Sequence, residues 1–254
     1  MKIALCCLMH SFEQCPLYFL EKLRNDTLNN NDVELFLMFE NSSNLTIDQI
    51  SDQSKLPIEN IYIFTWKEII DKWHACYNDF DKPYIGNCVY PFLDLYEQIK
   101  EKFDNFVFIE DDIFYNGDTN DLLNRMNVGK FDVCRYRMEI ARRNWWWLKV
   151  YHNRILRRKF YTGGLLQLYA LSKRAIDFLY QDLKVNHYNG HHELIVNTLF
   201  DNNCYLTKFF YGKTIETHID VYSGPISLHI SQNGLHKNAI YHPIKDFNII
   251  KDLI

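Results

Sequence analysis

Residues 105–118, NFVFIEDDIFYNGD, place Glu110, Asp111 and Asp112 directly behind an apolar run that reads as a buried strand. Like charges crowded at a strand end repel, and burying one of them without a partner costs several kcal/mol or forces it to take up a proton. A hard divalent cation is the partner that suits such a group. Mn²⁺ and Mg²⁺ prefer carboxylate oxygens and commonly share them with substrate phosphates. The other reading is a solvated acidic turn, so the rest of the chain has to decide.

Three further groups have side chains suited to chemistry. In HYNGHHELIVNTLF, Glu193 opens an amphipathic helix with Leu194, Ile195 and Leu199 facing inward, and His191 and His192 stand before it. A carboxylate at a helix start is also favourable against the macrodipole, whatever its chemistry. In YTGGLLQLYALS, Gly163 and Gly164 permit close approach of backbone or an unusual backbone angle. The tail carries His218, His229, His236 and His242. Of these, His229 in SLHIS is expected on a short strand, and His242, before Pro243, in extended or turn backbone.

The elements that must hold these groups alternate along the chain. Lys2 to Met9 reads as a strand, PLYFLEKLRNDTL as a helix, VELFLMFENSS as a strand that ends in polar turn residues, and NIYIFTW as a further strand after an Asn- and Ser-rich connection. YPFLDLYEQIKEKF is an amphipathic helix running into the acidic strand. A short helix over DLLNRM, a strand over FDVCRYRM, a strand-to-helix unit over GGLLQLYALSKRAIDFLYQDL and a strand over CYLTKFFY follow. Alternating strands and helices predict an α/β fold with a mostly parallel sheet, which puts the acids at the carboxyl end of a central strand, where ligands bind in such sheets.

Composition narrows the class. The chain has 254 residues, 47% of them hydrophobic, enough for one large core. Its net charge of −4 argues against nucleic-acid binding by the whole surface. Seven scattered cysteines, an odd number without paired CxxC units, point to a reducing compartment and away from structural zinc or a disulfide framework. The N-terminus MKIALCCLMHSFE meets His10 and Glu13 too early for a signal peptide, and no apolar stretch reaches membrane-spanning length. It is read as the first core strand of a cytoplasmic protein.

The order of FVFIEDDIF, GGLLQLYALSKRAIDFL, HHELIVNTL and SLHISQ…AIYHP resembles that of the GT-A-fold glycosyltransferases, which use nucleotide-sugar donors. The resemblance implies a single GT-A-like, Rossmann-like domain over 1–254, with a nucleotide-sugar-binding half (1–120) and an acceptor-binding, catalytic half (121–254). It implies Mn²⁺ or Mg²⁺ held by Asp112 against the donor diphosphate, with Glu110 or Asp111 facing the ribose or supporting the ligand. It also implies a further metal ligand from a tail histidine, His229 or His242. Gly163 and Gly164, with His191 and His192, are expected on the substrate side, and Glu193 as the general base of an inverting transfer.

Residues 142–159 stand apart: Arg142, Arg143, Lys149, Arg154, Arg157, Arg158 and Lys159 surround Trp145, Trp146 and Trp147 with no acid among them. Such a mixture suits an anionic membrane surface carrying a lipid-linked acceptor, which would place the protein peripherally on the inner face of a membrane. A sugar-stacking acceptor flap, nucleic-acid binding and a partly buried aromatic turn are the other readings. The expected function is metal-dependent transfer from a nucleotide-sugar to a glycan or lipid-linked acceptor, in polysaccharide biosynthesis. The alternatives are a metal-dependent phosphoryl-transfer enzyme or nuclease, and a non-catalytic glycan- or membrane-binding scaffold of the same fold.

Overall fold

A computed structural model of the chain describes residues 1–74, 88–136, 139–140, 162–163, 166–188, 191–219 and 223–251. The basic stretch 142–159 and Gly164 lie outside the described residues. The strands are β1 (Ile3–Met9), β2 (Val33–Glu40), β3 (Ile61–Phe64), β4 (Asn105–Glu110), β5 (Phe114–Tyr115), β6 (Val133–Arg135), β7 (Glu139–Ile140), β8 (Thr162–Gly163), β9 (Leu168–Ser172), β10 (Lys208–Phe210), β11 (Glu216–Ile219) and β12 (Ala239–His242). Seven form one sheet in the order β10-β6-β9-β4-β1-β2-β3. Its pairings are parallel except around β9, which runs antiparallel to β4 and β6. The expected mostly parallel α/β sheet is therefore present.

Near-continuous apolar strands are what a sheet covered on both faces requires. Along β4, Phe106 and Phe108 enter one core while Val107 and Ile109 enter the other. β1 alternates the same way, with Ala4 and Cys6 against Leu5 and Cys7. The first face is covered by the helices Trp66–Trp73, Val89–Ile99, Lys173–Asn186 and His192–Asn202, and the second by Gln14–Thr27, Ile47–Ser54 and Thr119–Arg125. Buried Asp94 is fully engaged on the first face, accepting from Trp73 Nε1 at 2.7 Å and Tyr62 Oη at 3.0 Å beside Lys72 Nζ at 2.9 Å.

One part adds to the sequence expectation and one departs from it. The Asn- and Ser-rich connection contains the helix Ile47–Ser54, opened by a capping box in which Thr46 and Gln49 satisfy each other's backbone N–H groups. SLHIS is not a strand, because it lies within the helix Ser223–Asn233. Ile226 and Ile230, one helical turn apart, are buried while Leu228 is exposed, a 3.6-residue rather than a two-residue period. That helix packs on a second, three-stranded sheet of order β11-β12-β5 and closes a third core with Cys15, Phe19, Phe114 and Tyr241.

Candidate active site

β4 ends on Glu110, and the next two residues turn the chain into β5. The turn is held by Ile113 N donating to Glu110 O at 3.2 Å. β5 pairs antiparallel with β12, setting Tyr115 opposite Ile240 and Phe114 opposite Tyr241. This pairing carries the tail histidine back to the acids. Ile244 N completes the join by donating to Asp112 O at 3.0 Å.

Here Glu110, Asp112 and His242 each offer a ligand atom, all within 4.8 Å of one another. His242 Nε2 lies 3.3 Å from Asp112 Oδ1, and Lys245 Nζ lies 3.6 Å from Asp112 Oδ2. Burial pushes the Asp112 carboxyl up, but His242 and Lys245 beside it outweigh that and hold it below its ordinary value. Glu110 goes the other way. Burial first, then repulsion from Asp112, Glu193 and Asp111, drives its carboxyl well above the usual range. Asp111 is also raised, mainly by burial, and faces His10, whose Nδ1 is 3.3 Å from Asp111 Oδ2. The three acids thus separate into two directions: Glu110 and Asp112 toward His242, Asp111 toward His10.

Two carboxylates and an imidazole at this spacing fit a divalent cation. Asp112 Oδ1 is buried with His242 Nε2 opposite it, His242 Nδ1 is buried without a hydrogen-bond partner, and Glu110 is poised against its neighbours' charge in the way a bound cation would relieve. The oxygen-rich donor set suits Mn²⁺ or Mg²⁺.

Glu193 joins this cluster through Gln167, the residue before β9. Glu110 N donates to Gln167 O at 3.0 Å, and Gln167 Nε2 donates to Glu193 Oε1 at 2.9 Å. The helix His192–Asn202 is capped by His191, whose Nδ1 accepts from Glu193 N at 3.2 Å, and the His191 and His192 rings stack at 4.8 Å. Cys88 is half-buried beside Glu110 and Glu193, its thiol raised by desolvation and then by those two carboxylates. Gly163 sits on β8, which pairs with β7 and runs along the helix that carries Glu193.

The expected residues therefore divide. Glu110, Asp112, His242, Glu193, His191 and His192 converge, and Gly163 is placed beside them. His229 does not join Asp112; its ring lies 4.1 Å from that of His218, on the helix Ser223–Asn233. Residues outside the sequence reading also contribute: His10, Cys88, Gln167 and Lys245. The position of His10 just after β1, the neighbour of β4, was the available signal. Gln167 and Cys88 carried none, because their roles come from contacts across the sheet.

No protein-family model and no curated protein matches the sequence. Among solved structures, the chain is similar to mouse xyloside xylosyltransferase 1 in its apo form, at 12% identity and a TM-score of 0.47, over 98% of this chain and 99% of that one. It is similar to an active-site mutant of LgtC at 10% identity and a TM-score of 0.48, over 97% of this chain and 88% of that one. Apo GlyE of Streptococcus pneumoniae TIGR4 gives 12% identity and a TM-score of 0.42, over 97% of this chain but 55% of that one.

Proposed function

We propose that the chain is a metal-dependent glycosyltransferase that moves a sugar from a nucleotide-sugar donor to a glycan or lipid-linked acceptor hydroxyl with inversion. The observation that carries this reading is the meeting of Glu110, Asp112 and His242 at the carboxyl end of the central strand, with Glu193 one side chain away through Gln167. Glu110, Asp112 and His242 are the residues that would hold Mn²⁺ or Mg²⁺. When bound, such an ion offsets the charge that builds on a departing nucleoside diphosphate.

The chain's own groups supply the rest. Glu193 takes the proton of the acceptor hydroxyl, and Gln167 fixes its carboxylate by donating to Oε1 at 2.9 Å. Its near-complete burial keeps water from competing for that proton-accepting position. Lys245 adds positive charge next to Asp112, which would favour an anionic donor there. Residues 1–120 supply the donor acids, and 121–254 supply Glu193, His191, His192 and the glycines at the acceptor side.

The test is thermal-shift screening of the purified chain against a nucleotide-sugar panel with and without Mn²⁺, followed by NMR of the product's anomeric configuration with the stabilising donor. A ligand that binds only the native state raises the melting temperature. One donor class stabilising only with Mn²⁺, and product of opposite anomeric configuration, is the expected result. Equal stabilisation with and without metal would remove the metal from the reading, and retained configuration would remove Glu193 as base.

A further inference from the structure

On the far face of the small sheet lies a second group of metal-type ligands. Glu216 and His218 stand on β11, His229 on the helix Ser223–Asn233, and His236 in the connection leading to β12. Glu216, His218 and His236 each offer a ligand atom within 4.8 Å of the others. Their present contacts converge on one oxygen: Glu216 Oε1 is 2.9 Å from His218 Nε2 and 2.7 Å from His236 Nδ1. The His229 ring lies 4.1 Å from that of His218 and 5.9 Å from that of His236. His229 Nδ1 faces the Asn233 side-chain amide at 3.3 Å, while its Nε2 is buried without a hydrogen-bond partner.

This group is separate from the Asp112 site. β11 and β12 run parallel with His218 opposite Tyr241 and Ile219 opposite His242. Successive side chains on a strand point to opposite faces, so His218 and Tyr241 share one face while His242 projects from the other. Tyr241 also buttresses the histidines. Its ring stacks on His218 at 4.9 Å and its hydroxyl accepts from His236 N at 2.6 Å.

We infer that Glu216, His218 and His236, with His229 as the fourth ligand, form a Zn²⁺-type site on the face of the small sheet opposite the active site. The donor set decides the metal class. Three imidazoles and one carboxylate match four-coordinate Zn²⁺, whereas the oxygen-rich Glu110–Asp112–His242 set suits a harder ion. Three elements bring the ligands: β11, the helix above it and the connection into β12. Occupancy would therefore fasten the helix Ser223–Asn233 to the strand pair that presents His242, giving the ion a structural role.

The test uses the full chain carrying Asp112→Asn, so that the first site does not contribute, after removal of metal with a chelator. Co²⁺ titration should give the visible absorption of a four-coordinate ion at one equivalent, Zn²⁺ should displace it, and Zn²⁺ should raise the melting temperature. His236→Gln and Glu216→Gln change half-exposed side chains and leave the cores intact. Each should weaken Co²⁺ binding at least about tenfold, the lower end of what losing even an outer partner costs a metal site. Absence of the Co²⁺ band, or a band unchanged by both substitutions, would overturn the site. The cluster would then be a hydrogen-bonded His–Glu–His group.

Discussion

Asp112 and His242 meet across the end of the central strand, with His242 Nε2 3.3 Å from Asp112 Oδ1. The contact exists because β12 pairs with β5, the strand that follows the acidic turn. Asp112→Asn keeps the shape and removes the charge, and should abolish Mn²⁺ binding at this site and the donor binding that depends on it, with the fold intact. His242→Ala should weaken Mn²⁺ binding as well. Because the two would share one ion, their effects should be non-additive in a double-mutant cycle read by calorimetry. Wild-type Mn²⁺ affinity in Asp112→Asn, or strict additivity, would dissolve the shared site.

Glu193→Gln keeps an acceptor oxygen for a hydrogen bond but cannot take a proton. Donor binding should survive while turnover falls about 10²-fold or more, the usual weight of general-base catalysis. Single-turnover kinetics with saturating donor would show it. Near-normal chemistry would leave Glu193 as a helix-start carboxylate held by Gln167.

Asp132 ties the sheet together and gives a pH-dependent stability. Its carboxylate accepts from Ser172 Oγ at 2.8 Å, from Thr207 N and Oγ1 at 2.8 Å each, and from Arg174, joining the ends of β6, β9 and β10. Burial raises this carboxyl, but the bonds from Arg174, Thr207 and Ser172 prevail and hold it well below the usual carboxylate range. A depressed folded value means that the stabilisation is fully present above the unfolded value of about 3.9 and is lost as pH falls toward the folded one. Asp132→Asn should cost about 1–3 kcal/mol at neutral pH, as for lost bonds to a charged group. Denaturant melts should show the gap from wild type constant above about pH 5 and narrowing below about pH 4, given that unfolded value. A gap independent of pH would refute the assignment.

Arg135 is fully buried on β6 and bonds Asn197 and Asp201 of the helix His192–Asn202. Arg135→Ala strands Asp201 with no cation opposite, which for a buried pair costs about 3–5 kcal/mol. Because that helix also carries Glu193, turnover should fall together with the denaturation midpoint. Arg135→Ala with Asp201→Asn should recover part of the stability, and no recovery would mean that packing, not charge, dominates.

What the sequence determined by itself was local. Short continuous apolar runs such as FVFI and LFLMF, and the helical period in the amphipathic segments, are written in the sequence, so the α/β class and the acids at a strand end were legible. Glu193 at a helix start was legible for the same reason. The period misled at SLHIS, where only burial of Ile226 and Ile230 against the third core makes the helix. Tertiary structure alone decided which histidine meets which acid. That choice follows from strand pairing between segments far apart in the chain: β12 beside β5 sends His242 to Asp112, and β11 beside β12 in parallel register turns His218 to the opposite face, with His229 and His236. Four tail histidines look alike in sequence; side-chain alternation across the paired strands sends His218 and His242 to opposite faces, and the helix and the connection bring His229 and His236 to the side of His218.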